Sequence, residues 1–208
     1  MLGIIGKKLG MTSVFGEGGV NIACTIVEAG PCYVTQRKDE ETDGYNAAQL
    51  AYGYRSDKNT PKPLKKHYEK AGVEPAAKVI EFRDFGLEKN VGEEITVDEV
   101  FNEGDTVNVI GRSKGKGFQG VVKRHGFKGV GDATHGQHNR MRAPGAIGMA
   151  STPSKVLKGM RMAGRTGNDR IKVKNLKVIR VIEDENIILI KGAIPGSKGS
   201  YVIVESAI

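Results

Sequence analysis

Gly115–Gly120 reads GKGFQG and fits the G-x-G-x-x-G pattern of a turn that cradles a dinucleotide pyrophosphate. Such a turn works when a helix starts at its end, because the free N–H groups and the dipole of that helix meet the phosphates. The preceding TVNVIG (106–111) is a fitting strand, but the following VVKRHGFKGVG is broken by Gly126, Gly129 and Gly131 where the helix should run. No dinucleotide site is therefore expected. GMRMAGRT, from Gly159, has the spacing of a nucleoside-triphosphate loop. Arginine stands there in place of the phosphate-reaching lysine and no strand precedes it, so it reads as a basic bend. Of the histidines, His135 and His138 lie three apart among glycines, without a nearby thiol and with Asp132 as their one acid. That is a poor donor set for a metal, and His125, His135 and His138 are better suited to RNA contacts or local hydrogen bonds. No Ser, His and acid arrangement stands out. The sequence predicts no catalytic residue, no metal and no cofactor.

These unsuccessful motifs share their surroundings. Residues 112–174 contain 15 Lys and Arg against two acids, Asp132 and Asp169, whereas the rest of the chain has 17 basic and 22 acidic residues. The +8 charge of the 208-residue chain is thus the excess of one segment. That segment is also poor in core formers. Between Lys123 and Arg170 the only Val, Ile or Leu residues are Val130, Ile147, Val156 and Leu157. A stretch that buries so little apolar surface cannot offset its ordering entropy, about 1–2 kcal/mol per residue for the backbone, and needs a partner to hold it. A plain linker would be rich in Gly and Ser without this charge. Gly interleaved with Lys, Arg, His, Asn and Gln suits close approach to a phosphate chain, with cations displacing counterions. Phe118 and Phe127 are its only Phe, Tyr or Trp residues, so a base-stacking platform is not the expected mode.

The elements that must carry this segment are mostly strands. LGIIG, VNIACTIVEAG, CYVTQRK, AAQLAYGYR, KVIEFR, DTVNVIG, KVIRVIE, NIILIKGAI and YVIVES are rich in Val, Ile and Tyr and bounded by Gly, Pro, Asn and Asp. They predict a mainly β chain, a barrel or a sandwich, with a turn at EDEN (183–186) and NIILIKGAI in the core. PLKKHYEKAG, from Pro63, predicts one short helix, and VDEVF (97–101) another helical turn. The basic segment leaves between two strands and returns. The length suits one main domain. Cys24 and Cys32 sit in apolar runs as reduced, structural thiols, and no leader or long apolar run suggests secretion or a membrane, so a reducing cytosol is the expected setting.

GIIGKKLGMTSVF, VDEVFNEGDTVNVIGRSKGKGFQGVVKRHGF, DATHG, RAPGAIG, TPSKVLKGMRMAGRTGNDR and NIILIKGAIPGSKG follow one another along nearly the whole chain. In these motifs and their order the sequence resembles the bacterial L-three family of large-subunit ribosomal proteins. The resemblance implies a translation-protein-type β-barrel over 1–111 and 175–208, with a small α+β lobe at about 40–95. A long basic, Gly-rich extension, 112–174, would penetrate large-subunit ribosomal RNA toward the peptidyl transferase centre. It also implies a non-enzymatic role in early subunit assembly in the cytoplasm, with L-fourteen and L-nineteen as neighbours and neither a membrane nor a small-molecule substrate as partner.

Carried over by motif, Arg112, Lys114, Lys116, Gln119, Lys123, Arg124, His125 and Lys128 would meet RNA toward the root of the extension, and His135, Arg140 and Arg142 further in. Pro144, Gly145, Gly148, Ser151 and Pro153 would form the tip, and Lys155, Lys158, Arg161 and Arg165 the return path. Some bacterial relatives have GQNQTPG at the tip where this chain has GMASTPS from Gly148. Ser151 thus replaces a glutamine that is methylated in some relatives, and that modification is not expected here. Two other readings remain to be distinguished: a nucleotide-dependent enzyme using GKGFQG, and a soluble translation factor that shares the barrel and the charge.

Overall fold

The computed structural model describes residues 2–131, 135–136 and 138–207, with only the backbone of Glu17. Asp132, the acid considered with the histidines, lies outside the described residues. The chain forms two units, a body built from the stretches up to Arg112 and from Arg170 onward, and a second unit, Ser113–Asp169.

The body is mainly β. Its first strands are β1 (Gly3–Phe15), β2 (Asn21–Ala29), β3 (Cys32–Lys38) and β4 (Ala47–Tyr54), with the short helix α1 (Glu40–Asp43) before β4. Helix α2 (Lys62–Ala71), β5 (Ala76–Arg83), β6 (Glu94–Ile95) and β7 (Thr106–Arg112) follow. Six strands close into a barrel in the order β1, β12, β7, β10, β11, β2, where β10 is Arg170–Ile182, β11 Ile187–Lys191 and β12 Tyr201–Ser206. Every neighbouring pair is antiparallel. Alternation explains the inward faces: in β7, Val107 and Val109 are fully buried on either side of half-buried Asn108. Ile188, Leu189 and Ile190 of β11 are buried consecutively, as the unbroken apolar run predicts. With Ile4, Ile5, Val27, Phe101, Val178, Val202 and Val204, Ile188 and Ile190 make one core. Each such side chain contributes roughly 1.5–3 kcal/mol by leaving water.

Lys8 is buried and donates to the carbonyls of Ile194 (2.9 Å) and Gly196 (3.2 Å), tying β1 to the chain beyond β11. Cys24 and Cys32 are both free and buried. Burial pushes the Cys32 thiol up to about 12, and the thiol donates to the Ile5 carbonyl.

A second sheet, in the order β5, β4, β3, β6, carries α2. Tyr68 of α2 packs with Ala51 and Ala76, and its hydroxyl donates to the Ala76 carbonyl at 3.3 Å. This sheet takes in β3 and so begins at Cys32, earlier than the lobe expected from about residue 40. VDEVF makes one hydrogen-bonded turn, Phe101 N–H to the Val97 carbonyl at 3.0 Å, and buries Phe101.

Two strands outrun their sequence signal. β1 continues through KKLGMTSVF, where Lys8 pairs with Val27 and, beyond a bulge, Gly10 pairs with Ile26. β10 starts at Arg170, well before KVIRVIE. In the two added stretches Lys8 is the one buried residue, so backbone pairing holds them without the apolar burial that makes a strand legible.

Candidate nucleic-acid interface

The second unit is held together at its root by its backbone. Ser113 N–H donates to the Asp169 carbonyl (2.9 Å), Lys116 N–H to Thr166 (2.9 Å) and Thr166 N–H to Gly117 (3.0 Å). The ladder then passes into β8 (Phe118–Gln119) paired with β9 (Gly164–Arg165). The outgoing and returning limbs thus form a narrow antiparallel ribbon. A close crossing lies at Gly167, φ 76°, where any Cβ would run into the Lys114 carbonyl oxygen.

A helix does follow Gly120, contrary to the expectation that the glycines would exclude one. It is α3, Val121–His125, and ends where Gly126 turns left-handed at φ 72°. Five residues make barely more than one turn, and the lysine, arginine and histidine at its end face the negative pole of the dipole. Val121 is buried and anchors α3. Arg124 donates to the Met162 carbonyl at 2.8 Å, and His125 Nε2 lies 3.1 Å from the same oxygen. A carbonyl only accepts, so the imidazole carries its proton on Nε2 when it makes that bond. Two residues expected to meet RNA therefore also join the limbs.

Beyond this point the internal support fades. Among the described residues from 128 to 163, one backbone-to-backbone hydrogen bond occurs, Ala143 N–H to the Arg140 carbonyl at 3.3 Å. Gly129, φ 73°, marks a second close crossing, where a Cβ would meet the Met141 carbonyl. The sparse apolar side chains form no core: Val130, Ile147, Val156 and Leu157 are all exposed, as are Met141 and Met149. Phe118 is 73% exposed, so it is not packed as a core ring. These exposed apolar groups were not singled out as contacts by sequence, although the shortage of core formers was the available signal.

The cations follow the same pattern. Lys114, Lys116, Lys123, Arg124, Lys128, Arg140, Arg142, Lys155, Lys158, Arg161 and Arg165 are all exposed, and His135 with them, while Gln119 and His125 are half-buried. Gln119 turns its amide back to the Lys116 carbonyl. Among the described residues of this unit no ion pair forms. Pro144, Gly145, Gly148, Ser151 and Pro153 are exposed in an irregular stretch between Arg142 and Lys155. Arg112 ends β7 and pairs in register with Arg170, so it belongs to the body. Among the described residues no group of three or more His, Cys, Asp or Glu could hold a metal. No helix among them is long and apolar enough to cross a membrane.

Residues 66–187 match the family model of ribosomal protein L3. The chain is 54% identical over 200 residues to the large ribosomal subunit protein uL3 of Salinibacter ruber (strain DSM 13855 / M31), covering 96% of each chain. The chain belongs to the ribosomal protein L3 family. Its L3 membership makes it a ribosomal protein of a structural, non-enzymatic class. The family match spans the departure and return of the basic unit, and GKGFQG lies inside it. In this L3-family chain that glycine pattern is part of a cationic ribbon.

Proposed function

We propose that this chain is a structural constituent of the large ribosomal subunit whose translation-protein-type barrel sits on the particle while residues 113–169 enter ribosomal RNA. The observation that carries this reading is a unit whose eleven Lys and Arg are all exposed and, among the described residues, unmatched by internal ion pairs, on a backbone that among those residues scarcely bonds to itself beyond its root. Phosphates supply what it lacks: charge partners for the cations and a surface against which the backbone can order. Lys114, Lys116 and Lys123 neutralise RNA near the root. Arg140 and Arg142 do so further in, and Lys155, Lys158, Arg161 and Arg165 on the return.

The segment Pro144–Pro153 reaches toward the peptidyl transferase centre, and ordering RNA around the arm supports early subunit assembly. Exposed Met149 and Leu157 add apolar contact with sugars and bases. The less basic body faces neighbouring proteins, L-fourteen and L-nineteen among them.

Affinity for large-subunit ribosomal RNA measured against salt tests the mechanism. If at least four cations meet phosphates, log K falls with log salt at a slope of about −3 or steeper. A flat dependence rejects multi-phosphate binding. Release of the chain from the particle by a high-salt wash would instead favour a transient translation factor.

A further inference from the structure

The body contains a cleft of opposite chemistry. It has a volume of about 390 Å³, and no lysine, arginine or histidine lines it. This is within the range of sites that hold a small ligand or a side chain with its neighbours, roughly 300–1,000 Å³. Three tyrosines contribute to its walls, Tyr33, Tyr52 and Tyr54, with the carboxylates Glu28 and Glu74. Tyr52 is buried and fixed, its hydroxyl on the Glu28 carbonyl at 3.3 Å and its ring edge-on to Tyr201. Tyr54, by contrast, is 72% exposed at the end of β4 and offers a free ring.

A third carboxylate, Glu94, sits opposite Tyr33 in the β3–β6 register. Burial, then Glu94 and Glu74, raise the Tyr33 phenol, which places negative potential at the rim. The cations nearest in register are Lys7, opposite Glu28, and Lys78, opposite Tyr52. Among the described residues neither forms an ion pair with Glu28, Glu74 or Glu94, and none of these carboxylates enters one.

We propose that this cleft is a docking site for an arginine-bearing segment of a partner protein, the guanidinium lying on a tyrosine face between Glu28, Glu74 and Glu94. A tyrosine ring attracts a cation through its quadrupole, and the planar guanidinium also stacks on it. Pro31, Val73 and Pro75 supply an apolar lining for the hydrocarbon stem and flanking residues. Phosphate is repelled by the same carboxylates, so the occupant is protein and not RNA. The inference does not depend on RNA binding by residues 113–169, since it concerns other residues and the opposite charge.

The test is a titration of the full-length chain with the blocked peptide Gly-Arg-Gly-Arg-Gly, followed by amide chemical shifts. The expected result is a set of shifts at Tyr33, Tyr54 and Gly72–Ala76. Binding should weaken about tenfold in Glu74→Gln/Glu94→Gln and severalfold in Tyr54→Ala, and should be lost with citrulline in place of arginine. All three substituted side chains are half-exposed or exposed at the rim and outside the core, so the fold survives. Three outcomes overturn the proposal: no shifts at about 5 mM peptide, shifts outside the cleft, or equal affinity for the variants. Tighter binding of spermidine or of an RNA oligonucleotide at these residues overturns it too.

Discussion

The two units treat their charges in opposite ways. In the body, Lys38 pairs with Glu81 (2.9 Å), Lys65 with Asp57 (3.3 Å), Lys89 with Glu99 (2.6 Å) and Lys172 with Glu205 (2.6 Å). Residues 113–169 have eleven cations and two acids, and no ion pair among the described residues. The body buries a continuous apolar core, whereas in the basic unit Val121 is the one buried hydrophobic among the described residues. Exposed ion pairs stabilise little, about 0–1 kcal/mol each, so the contrast concerns fitness for a partner more than folding energy. One unit is complete in water, and the other keeps its charges and backbone groups available.

That difference should be largest in native-state hydrogen exchange. Core amides of β7 and β11 should exchange at least about 10⁴-fold more slowly than those of residues 128–163 in the free protein, and RNA should protect the latter. Strong protection of 128–163 without RNA would contradict the distinction. Next in size, changing Lys114, Lys116, Lys123 and Lys128 together to Gln should weaken RNA binding by roughly two to three orders of magnitude and flatten the salt slope by about three. The thermal unfolding of the body should stay unchanged. Arg124 is left out of that set because its bond to Met162 also holds the limbs.

A paired truncation probes the cores. Ile190→Ala should cost about 2–5 kcal/mol in denaturant unfolding, because Ile190 is fully buried. Leu157→Ala, at a position 58% exposed, should stay within about 0.5 kcal/mol.

Smaller per pH unit than the Ile190 truncation is the effect at Cys32. Its thiol is held at about 12 in the folded body, above an ordinary 9.0. The folded state keeps this proton while the unfolded chain loses it, so stability from this group is full below about 9 and declines as pH rises toward 12. Cys32→Ala should therefore make the loss of stability between those pH values shallower by about 1.4 kcal/mol per pH unit, read by urea unfolding. Burial also raises Tyr52, which Glu28 reinforces, and Tyr52 contributes a parallel alkaline loss that the variant retains.

Much of this organisation was legible in the residues. The apolar run NIILIKGAI is buried through Ile188, Leu189, Ile190 and Ile194, and the EDEN turn closes with Asn186 N–H on the Glu183 carbonyl. The cationic residues named from sequence all lie exposed, because nothing nearby in the chain can neutralise or bury them. What failed was local: glycines after Gly120 were read as excluding a helix, yet α3 fits between Gly120 and Gly126, pinned by Val121 and by the distant Met162 carbonyl. The outer halves of β1 and β10 were missed for a related reason, since their strand character comes from pairing partners and not from their own pattern.

Composition alone determined that one segment would be cationic and unable to build a core, because charge and apolar content are properties of the residues themselves. Tertiary structure decided which cations remain free. Lys172 belongs to the same basic run as Lys158, but β10 brings it to Glu205 on β12. It also decided that Glu28 and Glu74, far apart in the chain, would line one tyrosine-walled cleft, with Glu94 opposite its Tyr33. Electrostatic energy depends on distance in space, and distances between residues remote in sequence exist only once strands have paired.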